Sequence, residues 1–369
     1  MSYFLYEETE VLIEDIERFC EEEVLPVAKE CDKSGEIPFE LYERAAEMGY
    51  NTLDVPAEFG GLGLSAEDTA AITESFAYAD AGFGVTFAAN SLAMKAVLQH
   101  GSDELKAEVC SRSLEGQYGA FCLTEADAGS DPASLRTEAV KTEDGYLLNG
   151  SKSFVTNGSF AGFYVVTAKT EDGFTMFVVD NDDDGIEPQP HEDKMGIRLS
   201  DTCEVIFNDV FVPFENVVGD EGRGLKYALD ALDEGRIMIA AVATGLAAKA
   251  FDEAKAYSLK RKQFDKCIFD HQAVQFKLAD MEMKTESARQ MIVYALKKLE
   301  RGMDIRKEAA MAKVLASDAA VNNALETIQI MGGYGYSREF PGEKLLRDAK
   351  IFQIFEGTNE IQRIVIANA

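Results

Sequence analysis

Positive charge is scarce in this chain of 369 residues: 36 Lys and Arg stand against 66 Asp and Glu, a formal net charge of −30. So acidic a molecule repels phosphate backbones and anionic bilayers, which disfavours nucleic-acid and membrane partners. It also repels an anionic substrate, so a site for one needs local cations or backbone donors. A saline habitat is a second reading of the acidity, and the sequence leaves it open. Histidine is rare too: His100, His191 and His271 lie far apart, without metal-ligand spacing. No Gly-x-Ser-x-Gly is present to form a nucleophile elbow. The six cysteines are scattered with no CxxC pair, and in a chain this long they read as reduced, mostly buried residues. No apolar run approaches membrane-spanning length. The start, Met1 to Glu8, lacks the basic and then apolar segments of a secretory leader. The expected compartment is the cytoplasm.

Two local patterns suggest ligand loops and fail on context. Gly61-Leu-Gly63-Leu-Ser-Ala66 fits a relaxed dinucleotide fingerprint, but Pro56 and mixed polar residues stand where a strand should precede it. It reads as a glycine-rich loop leading into a helix. Asp180-Asn-Asp182-Asp-Asp184-Gly185 opens like a calcium loop, yet its twelfth position is His191, where a bidentate Glu belongs. It reads as a solvated acidic turn, and no metal is expected.

The chain changes character twice. Residues 1–115 read as a helical domain, with Leu12, Ile16 and Phe19 on one helical face and acids opposite. Pro56 to Gly63 is a loop, and a helical stretch from Ala66 to Leu114 is interrupted near Ala81-Gly82 and at Gly101. Residues 116–222 read as a mostly antiparallel β domain. Tyr146-Leu-Leu, Phe163-Tyr-Val-Val, Phe174-Thr-Met-Phe-Val-Val and Val205-Ile-Phe are short β-rich runs. Asp144-Gly145, Asn149-Gly150 and Asp172-Gly173 between them are hairpin signals. Residues 223–369 return to helix, where Leu278, Met281, Thr285, Ala288, Ile292, Leu296 and Leu299 form the seam of a bundle. The expected class is α+β, a central antiparallel β domain between an N-terminal helical domain and a C-terminal helical bundle.

Near the C-terminus a single acid, Glu356, stands between the apolar stretch Ile351-Phe-Gln-Ile-Phe355 and Gly357-Thr358. A carboxylate in apolar surroundings has its pKa raised toward the range of a general base. The glycine after it allows close approach to the backbone. Leu123-Thr-Glu-Ala-Asp-Ala-Gly-Ser130-Asp131 and Gln329-Ile-Met-Gly-Gly-Tyr-Gly335 each read, alone, as turns. Thr124, Ser130, Phe154-Val155-Thr156, Gln329, Gly332, Gly333 and Thr358 together gather hydroxyls, an amide, backbone donors and an aromatic ring. That set suits a planar, polar, anionic cofactor. In order and spacing, the three segments resemble the signatures of the acyl-CoA dehydrogenase family, and the resemblance spans nearly the whole chain.

The resemblance implies FAD as cofactor, an acyl-CoA thioester as substrate, an electron-transfer flavoprotein as partner, and a homo-oligomer, tetramer or dimer. By the family pattern Cys122, Leu123, Thr124 and Ser130 line the flavin, Ser130 also facing the substrate. Phe154, Val155 and Thr156 cover its ring system, with Phe where many members carry Trp. Asp233 and Arg236 match a D-x-x-R segment at the CoA moiety, and Gly357 joins the substrate set. Arg261 and Phe264 match an R-x-x-F segment that, with Gln329, Gly332 and Gly333, reaches the FAD of a neighbouring subunit. Gln272, Thr358 and Glu360 complete the cofactor set. Glu356 is then the base that takes the α-proton while the β-hydrogen leaves as hydride to flavin N5, giving a trans-2-enoyl-CoA. In some branches the base directly precedes the Arg of D-x-x-R, but here that residue is Gly235.

Two departures stand out: Asp265 where Gly usually follows the Phe, and Ala126 where Pro is common. An enoyl-CoA reductase or an acyl-CoA oxidase would carry the same motifs. A non-catalytic flavin- or acyl-CoA-binding protein is the alternative from another class, and an intact Glu356 speaks against it. The stretch before Asn90-Ser91-Leu92, which in the family helps form the base of the acyl pocket, reads Phe83-Gly-Val-Thr-Phe-Ala-Ala89. It holds no arginine of the kind the glutaryl branch uses, so a monocarboxylic acyl chain is expected. Lys95, the one cation nearby, is expected to run out to the surface.

Overall fold

The computed structural model describes Tyr3, Leu5 and residues 7–369. The N-terminal stretch judged to lack a leader therefore falls partly outside the described residues. Six helices come first: α1 (Glu7–Phe19), α2 (Leu25–Ser34), α3 (Phe39–Glu47), α4 (Ala66–Ala79), α5 (Ala81–His100) and α6 (Asp103–Leu114). A turn of π-helix, Cys20–Val24, joins α1 to α2. The interruptions expected in the second half of this region are helix caps. The Ser65 hydroxyl accepts from Asp68 N at 3.1 Å and opens α4, Asp80 accepts from Gly82 N at 2.8 Å and opens α5, and Ser102 opens α6. The Gly61 to Ala66 loop is a close-packed approach rather than a phosphate cradle, since a Cβ at Gly61 would lie 1.9 Å from the Val55 carbonyl oxygen.

One seven-stranded sheet follows, made of β1 (Gly119–Cys122), β2 (Glu138–Lys141), β3 (Gly145–Thr156), β4 (Phe163–Thr170), β5 (Gly173–Asp180), β6 (Ile186–Pro188) and β7 (Thr202–Pro213). Most pairings are antiparallel, as expected, but β1 runs parallel to β4 and β2 touches β4 in parallel at Glu138 and Lys169. Asp144-Gly145 and Asp172-Gly173 do sit at the β2–β3 and β4–β5 hairpins. Asn149-Gly150 does not turn the chain. It lies inside β3, where Gly150 (φ 147°) forms an irregularity against β7 and a Cβ would come 2.6 Å from the Thr137 hydroxyl.

The chain then returns to helix: α7 (Gly224–Lys260), a tiny hairpin of β8 (Lys262–Gln263) and β9 (Lys266–Cys267), then α8 (Gln272–Leu299), α9 (Arg306–Met331), α10 (Gly342–Ala349) and α11 (Asn359–Asn368). The seam expected on α8 is buried from Leu278 to Leu296, with Leu299 at its half-buried end. At the centre of the bundle, Asn323 of α9 donates to the Ala247 and Met281 carbonyls and to the Thr285 hydroxyl, at 2.9–3.2 Å. By length and composition α5 is apolar enough to cross a membrane. Its residues are mostly buried, however, and it packs against α4, α7 and β1 as the central helix of the fold.

Candidate active site

Glu356 lies in the short connection between the helical turn Lys350–Gln353 and α11. Its backbone is left-handed (φ 54°), a conformation that costs a non-glycine residue roughly 1–3 kcal/mol. Side chains from two helices hold it there. Gln362 of α11, fully buried, donates through Nε2 to the carbonyls of Glu356 (3.0 Å) and Gly357 (3.1 Å). Lys313 of α9, also fully buried, donates to the Gly357 carbonyl at 2.8 Å. Thr358 caps α11 by accepting from Ile361 N at 3.3 Å. The Glu356 N–H donates to no other described residue.

Glu356 as a whole is half-buried, yet its Oε2 is sealed from solvent and has no hydrogen-bond partner among the described residues. Burial pushes the carboxyl up to about 7, against the pull of Arg236 and then Lys313. An acid in that range is suited to take and return a proton near neutral pH. Gly235 of α7 leaves the carboxylate its space, because a Cβ there would stand 3.0 Å from Oε2 and 3.1 Å from Leu92 of α5. Arg236 is buried and paired with Asp233, while its Nε is a buried donor without a partner among the described residues. Burial moves the Asp233 carboxyl up to about 6, opposed by Arg236 and Arg306.

Lys95 does not run out to the surface. Its amine sits 3.2 Å from both Asp54 and Glu234, with the side chain 14% exposed. Burial would lower its pKa, but the two carboxylates prevail and raise it. Of the stretch from Phe83 to Ala89, most is core: Val85, Phe87 and Ala88 are buried, and Phe87 stacks on Phe76 at 4.5 Å. Leu92 is the neighbouring residue that stands beside Gly235 and Glu356.

The Thr124 to Asp131 segment and the middle of β3 are bound into one surface. Ser153 N donates to the Thr124 carbonyl at 2.8 Å. Lys152, fully buried, reaches across to Glu125 at 2.7 Å and to the Leu123 carbonyl at 3.2 Å. Burial works to raise the Glu125 carboxyl, but Lys152 and the amides of Arg136 and Thr137 hold it below its usual range. The Thr124, Ser130 and Thr156 hydroxyls have no hydrogen-bond partner among the described residues, which leaves them open to a ligand. Phe154, left-handed at φ 56° and 66% exposed, presents a bare ring beside them. Free hydroxyls around an exposed aromatic fit the flavin that the resemblance implies. Cys122 contributes no side chain here, being fully buried in the sheet core, and Val155 is buried likewise.

A second cluster gathers elsewhere. The Arg261 guanidinium lies 5.8 Å from the Tyr334 ring, which brings the Arg261 to Phe264 hairpin together with the Gln329 to Gly335 turn. Arg261, Phe264, Gln272, Gln329, Gly332 and Gly333 are all exposed, and a Cβ on either glycine would meet nothing. Phe264 and Asp265 form the two-residue hairpin turn, both left-handed (φ 53° and 62°). Asp tolerates that conformation better than most side chains, which accounts for its replacing the usual Gly. Arg236 and Arg261 are 25 positions apart along α7, about 37 Å in a helix. The two clusters therefore cannot serve the same reacting centre. Glu360 is exposed at the start of α11.

Sequence reading missed Lys313, Gln362, Lys152 and Leu92. The first could have been suspected, as a lone lysine in the run Ala309-Ala-Met-Ala-Lys-Val-Leu-Ala316. The others had no local signal.

Profiles of the acyl-CoA dehydrogenase N-terminal, middle and C-terminal domains match residues 6–117, 120–210 and 222–369. The chain is 40% identical over 356 residues to an acyl-CoA dehydrogenase of Bacillus subtilis, covering 95% of this chain and 94% of that one. It superposes on the butyryl-CoA dehydrogenase of Megasphaera elsdenii with TM-score 0.96 and 39% identity, over 100% of this chain and 99% of the other. The same values relate it to a chain from work on the electron transferring flavoprotein of Acidaminococcus fermentans and flavin-based electron bifurcation. With these likenesses added to the α+β order, the chain belongs to the acyl-CoA dehydrogenase family, FAD-dependent oxidoreductases acting on CH–CH bonds.

Proposed function

We propose that this chain dehydrogenates a monocarboxylic acyl-CoA thioester between Cα and Cβ, with Glu356 as the base. The observation that carries the reading is the sealed, unpartnered Oε2 of Glu356, its carboxyl raised to about 7. Glu356 takes the α-proton, and its backbone N–H is the donor for the thioester oxygen as charge develops there. Bound FAD supplies the two-electron acceptor for the hydrogen that leaves Cβ. Thr124, Ser130, Phe154 and Thr156 hold and cover the flavin, while Arg236 with Asp233 and Ser130 orients the CoA ester. Anaerobic addition of butyryl-CoA to the holoprotein should bleach the flavin absorbance; a full spectrum persisting with bound ester would refute dehydrogenation.

The substrate class follows from Lys95. With its charge already matched by Asp54 and Glu234, it has none to spare for a distal carboxylate beside Leu92. An unpaired buried carboxylate costs several kcal/mol. A steady-state panel with an artificial acceptor should show turnover of butyryl-CoA and other monocarboxylic esters and little of glutaryl- or succinyl-CoA. Efficient glutaryl-CoA oxidation, lost in Lys95→Ala, would reverse this assignment.

Electrons pass to an electron-transfer flavoprotein, a reading supported by the likeness to the Acidaminococcus fermentans chain. The exposed Arg261 cluster completes a neighbour's FAD site in a homotetramer or homodimer. Arg261→Ala should weaken FAD retention and loosen the assembly together, by about 1.5–3 kcal/mol for one charge-assisted bond. Sedimentation of holo and apo forms reads both effects, and an unchanged monomer holding FAD tightly would count against the shared site. All six cysteines are free, which is consistent with the reducing cytoplasm.

A further inference from the structure

We infer that Lys313 is a positioning residue of the reaction, its buried ammonium fixing the Glu356 loop from α9 and keeping a positive charge beside the carboxylate. The inference rests on Glu356 being the base. Lys313 is fully buried, and its amine meets the Gly357 carbonyl at 2.8 Å and the Asn359 side-chain oxygen at 3.1 Å. It heads a polar stripe on one face of α9. Ser317 exchanges hydrogen bonds with the Asn359 amide group, and Asp318 accepts from Asn359 at 3.0 Å and from Gln353 at 2.7 Å. That stripe grips the connection on both sides of Glu356, which is what a left-handed glutamate requires in order to stay in place.

A salt bridge does not explain the burial of this lysine, because its direct partners are a carbonyl and an amide. The charged groups acting on the pair are Arg236 from α7, itself paired with Asp233, Asp318 on α9, and Glu360 on α11. Glu356 is the strongest charge acting on Lys313, and the ammonium in turn draws the carboxylate toward its ionised form. Burial lowers Lys313 to about 8, still above the value of about 7 for Glu356, so the ammonium is mostly charged at the Glu356 midpoint.

The test is the pH profile of anaerobic flavin reduction by butyryl-CoA in the holoprotein. Reduction needs ionised Glu356, so the wild-type rate should rise with pH through the Glu356 titration. In Lys313→Met the midpoint should move alkaline by roughly one unit, as loss of a nearby opposite charge predicts. The limiting rate should fall at least about tenfold while butyryl-CoA binding changes little, the pattern of an interaction used after binding. Lys313→Arg, which keeps the charge, should hold the wild-type midpoint. Lys313→Gln, which keeps a donor without the charge, should shift as Met does and carries the test if Met fails to fold. An unmoved midpoint in the neutral variants, or an equal shift in Arg, would overturn the role. Wild-type reduction by Glu356→Gln would instead overturn the base assignment beneath it.

Discussion

Glu356→Gln is expected to keep FAD and bind butyryl-CoA while flavin reduction falls by about 10²–10⁴-fold, the share a positioned base contributes. The amide preserves shape and backbone but cannot accept the α-proton. No second acid can substitute: the neighbouring position on α7 is Gly235, and Asp233 is occupied by Arg236. Stopped-flow reduction with a parallel binding titration separates the two steps. Bleaching at near the wild-type rate would remove Glu356 from the mechanism.

Arg289→Ala is expected to cause the largest loss of stability. Arg289 of α8 is buried and donates through Nε and Nη2 to Glu74 of α4 at 2.6–3.2 Å, and through Nη1 to Glu286 at 2.7 Å. Glu74 is itself buried and also accepts from the Tyr3 hydroxyl at 2.9 Å. Removing the cation strands a carboxylate between the N-terminal helices and the C-terminal bundle, at a cost of about 3–5 kcal/mol. Urea unfolding should record that loss, and Arg289→Met with Glu74→Gln should recover most of it. A loss below about 1 kcal/mol, the range of exposed pairs, would mean that the pair is hydrated in solution.

Sequence carried the order of helix and sheet because its cues are local. Gly101 and Asp172-Gly173 punctuate the chain where they stand, and the α8 seam repeats over several turns. Asn149-Gly150 misled because the same dipeptide that favours a turn also suits an irregular strand, and the close approach to Thr137, just before the paired strand β2, shows only in the fold. The short strands β1, β2 and β6 carry too few residues for a period to show. At the site, Glu356 and the Thr124 to Asp131 and Phe154 to Thr156 segments were legible as motifs. Lys313 and Lys152 were not, since each acts on a backbone or side chain that only the fold brings near, and Gln362, though close in sequence to Glu356, carries no mark of its inward direction. Lys95 was misjudged for the same reason: Asp54 lies on another element, and Glu234 is nearly 140 positions away.

Helix α7 runs unbroken for 37 residues, about 55 Å, with Arg236 toward one end and Arg261 just past the other. In an assembly that shares FAD sites, such a rod makes cofactor affinity a property of the population rather than of the chain. With the shared site proposed above, dilution that separates subunits would strip Arg261 from the neighbour's FAD, so the apparent dissociation constant for FAD should rise as protein concentration falls.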